Sequence, residues 1–260
     1  LGSRFSKAGY KIPKPLIEVS GRPMAIQALM DLPIAENQKF ILRSDMKDFE
    51  KLKNLLECST TSAEFSILDY MTDGQASTCL EGSNNLPLDR PVTIAACDNG
   101  MIYDRYIFDS LMESAEVDVI IWAAKGYPGA IRRPEMYGWI DSDEHGLVKS
   151  ISVKKPLSNP VEDQIIVGTF TFKKLSNFIK SVDLMKGRKG LVNGEYYVDT
   201  AINDAISLGL KCVVFEIDYY ICWGTPDDLK TFEYWQTCFN AWSNHPYQIE
   251  KDMSFPQETT

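Results

Sequence analysis

Histidine is nearly absent: the 260-residue chain has two, His145 and His245. Each sits beside turn or polar residues and is expected on the surface, so chemistry built on a histidine base or a histidine-rich metal centre has little material. Cysteine is sparse and scattered. Cys58, Cys79, Cys97, Cys212, Cys222 and Cys238 include no C-x-x-C pair and have no histidine at zinc-finger spacing, which points to reduced, mostly buried thiols. Long apolar runs are missing too. The longest, Val119 to Ala124, falls far short of the ~20 residues that cross a bilayer, and no charged-then-apolar leader opens the sequence. A cytoplasmic protein without a membrane partner is expected. Basic residues are in deficit, 27 Lys and Arg against 36 Asp and Glu, for a net charge of −9. That sign is wrong for tracking a phosphate backbone, so nucleic acid is not expected as the main partner.

What is present is an ordinary globular composition, 44% hydrophobic and 24% charged, with no internal repeat and no low-complexity segment. Apolar periodicity predicts a short helix over Pro23–Met30, a strand at Lys39–Arg43, and a helix carrying Phe49, Leu52, Leu55 and Leu56 that Ser44 or Asp45 can cap. A strand follows at Phe65–Leu68, a helix at Gln75–Leu80, a buried strand at Val92–Ala96 ending in Cys97-Asp98, a helix at Tyr106–Ser114 capped by Asp104, and a strand at Val117–Ala124. This alternation implies parallel strands with right-handed crossovers. Beyond Gly126 the pattern changes to successive strand-like runs, Tyr137–Asp141, Leu147–Val153 and Ile165–Phe172, which read as an antiparallel insert. Helices return at Leu175–Val182 and Asp199–Leu208, then a strand at Lys211–Ile217 and a long helix from Pro226 to about Trp242, with Thr225 as its cap. The polar remainder, Ser243–Thr260, reads as a tail or linker. Tyr234, Trp235 and Trp242 hint at a contact surface between copies of the chain.

Ligands of open α/β sheets bind beyond the carboxyl ends of the strands, and four segments there carry chemistry. The turn Leu1-Gly2-Ser3-Arg4-Phe5 exposes backbone N–H groups that cradle phosphates, and Arg4 and Lys14 add two cations for a triphosphate or its pyrophosphate leaving group. Gly74-Gln75 opens a helix, where Gln75 could offer a donor and an acceptor to a nucleobase edge, although taken alone the segment reads more simply as a plain helix cap. Asp98, at the end of the most apolar strand, is placed to bind Mg²⁺ together with substrate phosphates and water. The fourth group gathers Lys154-Lys155-Pro156, Gly168, Asn193-Gly194-Glu195 and Gly224-Thr225-Pro226-Asp227-Asp228; Lys155 can neutralise an acceptor phosphate, and Asn193 and Glu195 can bond hydroxyl groups.

Taken in order, Gly2-Ser3-Arg4-Phe5, Pro13-Lys14-Pro15-Leu16 with Gly21, Gly74-Gln75, Asp98, Gly138, Lys155-Pro156, Gly168, Gly194-Glu195 and Gly224-Thr225-Pro226-Asp227-Asp228 resemble the sugar-phosphate nucleotidyltransferase family, and within it the bacterial members that serve capsule and cell-surface polysaccharides. The resemblance runs from Leu1 to about Trp242 and implies one nucleotidyltransferase domain, residues 1–242. It implies an α/β fold with a Rossmann-like, mixed but mostly parallel central sheet, helices on both faces and the small antiparallel insert. The implied reaction is Mg²⁺-dependent: a sugar 1-phosphate or related phosphorylated alcohol attacks the α-phosphorus of a nucleoside triphosphate and displaces pyrophosphate. Gly2, Ser3, Arg4, Lys14, Gly74 and Gln75 would then hold the nucleotide, Asp98 the metal, and Gly138, Lys155, Gly168, Asn193 and Glu195 the acceptor, with Arg4, Lys14 and Asp98 serving catalysis. Family members occur as monomers and as homo-oligomers.

Three features depart from the family pattern. The sequence opens inside the glycine-rich turn, so a strand and a first glycine are expected upstream. Cys222-Trp223 stands where relatives carry a second metal-binding Asp, which leaves Asp98 with phosphate oxygens and water or recruits Asp218 or Asp199. Lys154 replaces the glutamate of the usual Glu-Lys-Pro, favouring a more anionic acceptor or one that is not a plain hexose phosphate. Two other readings stand beside the transferase: a degenerate, non-catalytic relative acting as a regulatory or binding module, and a glycosyltransferase of the same fold. The second lacks its Asp-x-Asp motif at Cys97-Asp98-Asn99-Gly100.

Overall fold

A computed structural model describes residues 3–242. The expectations for Gly2, His245 and the tail from Ser243 lie outside the described residues. In chain order the elements are α1 (Ser3–Lys7), a 3₁₀ turn (Lys14–Leu16), the ribbon β1 (Glu18–Val19) and β2 (Arg22–Pro23), α2 (Met24–Met30), β3 (Gln38–Arg43), α3 (Phe49–Ser59), β4 (Ala63–Leu68), α4 (Gln75–Gly82), β5 (Val92–Ile94), β6 (Asn99–Ile102), α5 (Arg105–Glu113) and β7 (Val119–Ala124). The second half adds α6 (Pro128–Arg132), β8 (Gly138–Ser142), β9 (Val148–Val153), β10 (Gln164–Phe172), α7 (Leu175–Gly187), α8 (Val198–Ser207), β11 (Cys212–Glu216), β12 (Tyr219–Cys222) and α9 (Pro226–Ala241).

The central sheet has six strands, ordered β11-β7-β10-β8-β9 with β5 also paired to β10. β5, β7, β8 and β11 run one way and β9 and β10 the other, so the sheet is mixed with most strands aligned, as the alternating pattern implies. The run Tyr137–Phe172 does form antiparallel pairs, β8 with β9 and with β10. β3 and β4 pair in parallel as a separate two-stranded unit. Every residue of β7 is buried, because helices cover both faces of the strand, and its side chains divide with period two. Val119, Ile121 and Ala123 pack with Phe178, Val182, Ala201 and Ile202 of α7 and α8, while Ile120, Trp122 and Ala124 meet Phe108 of α5, Trp139 and Phe215. The one polar atom of Trp122 is satisfied by donation to Thr171 Oγ1 at 3.1 Å.

Local signals explain several boundaries. Asp104 accepts from the backbone N–H groups of Tyr106 and Ile107 and starts α5, and Thr225 accepts from Asp228 N at 3.2 Å with Pro226 in the first turn of α9. Neither Ser44 nor Asp45 caps α3: Asp45 is ion-paired with Arg43, and the helix starts after Asp48, whose φ is 58°. The expected strand Val92–Ala96 stops at Ile94, and a further strand, β6, begins at Asn99 to pair with β12, a partner far along the chain that no local pattern marks. Tyr234 and Trp235 on α9 are exposed, with ring centroids 5.3 Å apart. No helix among the described residues is long and apolar enough to cross a membrane.

Candidate active site

A cleft of about 300 Å³ opens where the loop after β5, the start of β8, the end of β9, a bulge in β10, the first turn of α8 and the end of β12 converge. The bulge lies where the pairing of β10 with β7 shifts register between Ile166 and Phe170. Gly168 sits in it with φ 85°, a left-handed value glycine adopts without strain, and the bulge turns Ile166, Val167 and Gly168 to the cleft wall.

Asp98 is delivered by the β6–β12 ribbon. Cys222 pairs with Asn99 in that ribbon, Trp223 N donates to the Asp98 carbonyl at 2.9 Å, and a Cβ placed on Gly224 would lie 3.1 Å from Asp98 Oδ2 and 3.3 Å from Cys222 Sγ. The Asp98 carboxylate is ion-paired with the Lys14 ammonium, which also faces the Phe5 ring at 5.8 Å. Sequence positions 84 residues apart thus meet as one charged pair. Cys222 accepts from Gly224 N at 3.3 Å and lies 3.8 Å from Asp228 Oδ2; the Tyr137 and Tyr220 hydroxyls also bond with its sulfur. Burial first, and the Asp228 charge second, push the Cys222 thiol up to about 12, so it is protonated at neutral pH.

The opposite wall carries Asp199 in the first turn of α8. Its Oδ2 lies 2.5 Å from where a Cβ on Gly138 would stand, so glycine at the head of β8 is what leaves room for the carboxyl. Burial raises the Asp199 pKa to about 6, opposed by its own backbone N–H and by the Lys154 charge. Lys154 adopts φ 60° before Lys155-Pro156, which turns its ammonium over the Tyr197 ring at 5.3 Å. The Tyr197 hydroxyl donates to Glu195, and its pKa is pushed up to about 12, chiefly by burial.

Of the residues singled out in the sequence, Arg4, Lys14, Asp98, Gly138 and Gly168 line the cleft. Ser3 belongs to the first turn of α1. Gly74 and Gln75 stand one layer away: a Gly74 Cβ would lie 2.5 Å from Tyr196 N, and Ala76 N donates to the Tyr196 carbonyl at 2.9 Å, so the turn is laced to the chain beside Tyr197. Glu195 reaches the cleft through Tyr197, whereas Asn193, with φ 50°, is exposed in the preceding turn. Lys155 is exposed and does not line the cleft; Lys154 does, with the left-handed backbone at 154 itself carrying its side chain inward. Asp218 does not line it either.

Sequence reading passed over Arg132, Arg133 and Tyr197, all in the lining. The signal for the arginines was their place after β7, Arg132 ending the short α6 that begins at Pro128 and Arg133 following it. The lining therefore holds five cations, Arg4, Lys14, Arg132, Arg133 and Lys154, against four carboxylates, Asp98, Asp199, Asp227 and Asp228. Arg133 pairs with Asp227 at 3.0 Å and Lys14 with Asp98, while Arg4, Arg132 and Lys154 form no ion pair with a carboxylate among the described residues. In a chain of net charge −9, a cleft with a surplus cation is a local reversal of sign that favours an anionic ligand.

No protein-family model and no curated protein matches the chain in sequence. Solved structures do match in shape. A nucleoside-diphosphate-sugar pyrophosphorylase from Vibrio cholerae RC9 superposes with a TM-score of 0.68 at 19% identity, covering 89% of this chain and 96% of that one. The chain has the fold of the sugar-phosphate nucleotidyltransferases. A putative glucose-1-phosphate thymidylyltransferase from Bacillus anthracis, solved with a sucrose, matches this nucleotidyltransferase fold with a TM-score of 0.70 at 17% identity over 90% of each chain. The inositol-1-phosphate CTP transferase of T. maritima gives 0.63 at 15% identity over 89% of each.

Proposed function

We propose that the chain is a nucleotidyltransferase that joins a nucleoside triphosphate to a sugar 1-phosphate, or a related phosphorylated alcohol, with release of pyrophosphate, supplying an activated precursor for surface polysaccharide. The observation that carries this reading is the cationic lining of one cleft in an acidic protein, held on a nucleotidyltransferase fold. Such a step is in-line displacement at phosphorus, governed by positioning and charge neutralisation.

Lys14 and Arg4 neutralise the triphosphate and the departing pyrophosphate. Gln75, which follows the Gly74 turn packed on Tyr196 one layer behind the lining, would meet the base only at the edge of the cleft. On the facing wall Lys154, in the role sequence reading gave to Lys155, steadies the acceptor phosphate, with Gly138 and Gly168 leaving space for the acceptor and Glu195 shaping its rim through Tyr197. A magnesium ion suits Asp98, a hard carboxylate oxygen donor that would hold it with phosphate oxygens and water. The protonated Cys222 thiol does not suit it. When bound, the ion would neutralise phosphate charge. Lys14, which Asp98 now engages, is the group that must turn from carboxylate to phosphate as substrate enters.

Pyrophosphate release across four nucleoside triphosphates crossed with hexose 1-phosphates, inositol 1-phosphate and phosphocholine, with and without Mg²⁺, tests the reading. One productive pair is expected, with Lys14→Ala lowering kcat about 10²–10³-fold while nucleotide affinity changes far less. Undiminished turnover in both Lys14→Ala and Asp98→Ala would refute the assignment. So would absence of nucleotide binding by calorimetry.

A further inference from the structure

The fold clears space for the Asp199 carboxyl. It stands in the first turn of α8, and glycine at 138 clears the volume it fills, with a hypothetical Cβ there 2.5 Å from Oδ2 and 3.1 Å from Ile166 Cδ1. No N–H or O–H of another residue hydrogen-bonds to it among the described residues; its own backbone N–H and the Lys154 charge are its only stabilising neighbours. A carboxylate has about four lone-pair sites across two oxygens. A half-buried one left this short of donors is unfavourable, and burial accordingly raises its pKa to about 6. The open lone pairs face the cleft that Gly138, Ile166 and Tyr197 also line.

Resting on the transferase reading above, we propose that Asp199 determines acceptor specificity: its carboxylate takes hydrogen bonds from hydroxyl groups of a phosphorylated polyol and so fixes which end of the acceptor carries its phosphate toward the cations. Three features select a neutral, hydroxyl-bearing body over other ligands. A phosphate against Asp199 is repelled. An ammonium group would have to displace Lys154, which already occupies the aromatic face of Tyr197 next to the carboxyl. A divalent ion would meet the same ammonium, and the described residues hold no group of three or more side chains suited to a metal. Hydroxyl pairs supply what is missing, two donors matched to two oxygens at no cost in charge.

The test is equilibrium binding of glucose 1-phosphate, myo-inositol 1-phosphate, phosphocholine and inorganic phosphate to the protein and to its Asp199→Ala and Asp199→Asn variants, alongside nucleoside triphosphate binding and the KM and kcat of pyrophosphate release. Thermal melts establish that each variant is folded; Asp199→Asn keeps the shape of the side chain. At least one polyol phosphate is expected to bind more tightly than inorganic phosphate, and Asp199→Ala should erase that preference by roughly tenfold to a hundredfold. Asp199→Asn, which keeps one acceptor oxygen, should lose less. The acceptor KM should rise with kcat nearly unchanged, and inorganic phosphate and nucleotide should bind as before. If a polyol phosphate remains a substrate with the same KM in Asp199→Ala, the assignment of Asp199 is wrong and the transferase reading survives. Preference for phosphocholine, lost in Asp199→Asn, would overturn it in favour of cation recognition. Failure of both nucleotide and acceptors to bind would take down the transferase reading itself.

Discussion

Replacing Gly138 by alanine inserts one methyl group into the space held by the Asp199 carboxyl. The new Cβ would sit 2.5 Å from Oδ2, closer than such atoms approach in folded proteins, and Gly138 is buried at the head of β8, so neither partner can move freely. Gly138 does not adopt a left-handed φ, so backbone strain adds nothing and the cost is overpacking alone, about 1–3 kcal/mol. In an Asp199→Ala background the nearest remaining atom is Ile166 Cδ1 at 3.1 Å, a contact a methyl group can yield by a few tenths of an ångström. There the same substitution should cost under about 1 kcal/mol. Urea unfolding of the four chains in this double-mutant cycle should give a coupling of about 1–2 kcal/mol, well beyond the few tenths by which independent sites depart from additivity. Equal costs of Gly138→Ala in the two backgrounds would refute the claim that this glycine exists to admit Asp199.

The same carboxyl sets a pH dependence. Its pKa rises from 3.8 to about 6 on folding, so the folded state holds the proton more tightly: the neutral acid costs nothing below about pH 4, and stability falls as pH climbs from there to about 6 and stays lower above. Asp199→Asn removes this penalty and should be more stable than wild type at pH 7 by about 1–3 kcal/mol, a margin that vanishes near pH 4 in urea titrations; a margin that does not change with pH would contradict the shift. Away from the cleft, Arg188 donates to both oxygens of Asp204, at 2.6 and 2.7 Å, and Asp204 is 3% exposed. Arg188→Met strands that carboxylate and should lower unfolding free energy by about 2–3 kcal/mol while leaving turnover at permissive temperature intact; a loss under 0.5 kcal/mol, taken as roughly the noise of such measurements, would count against it. Iodoacetamide at pH 7.5 should label the exposed Cys58 quickly and Cys222 hardly at all, since about 12 leaves roughly one thiolate in 10⁴ or fewer; peptide mapping that finds Cys222 modified first would show the thiol is not held protonated.

How far the cleft could be read in advance differs residue by residue. Arg4, Lys14 and Asp98 were visible because each belongs to a short local pattern, a glycine turn, a Pro-Lys-Pro run and an acid after an apolar strand. Their assembly was not, since the Lys14–Asp98 pair spans 84 positions. Lys154 and Lys155 are adjacent and equally charged, and only the left-handed backbone at 154 decides which one faces inward. Arg132 and Arg133 read as ordinary surface charge until α6 folds them over the cleft.

Composition and periodicity by themselves determined the α/β class, the strand that is β7, the caps at Asp104 and Thr225 and the antiparallel turn of the chain after Gly126, because hydrophobic burial and helix capping act over a few residues. Tertiary structure alone decided the β6–β12 ribbon, the bulge at Gly168, the fit of Asp199 against Gly138 and the reversed sign of charge in the cleft. Those depend on contacts between distant segments, whose energies are set by separation and burial in space and leave no spacing in the chain to read.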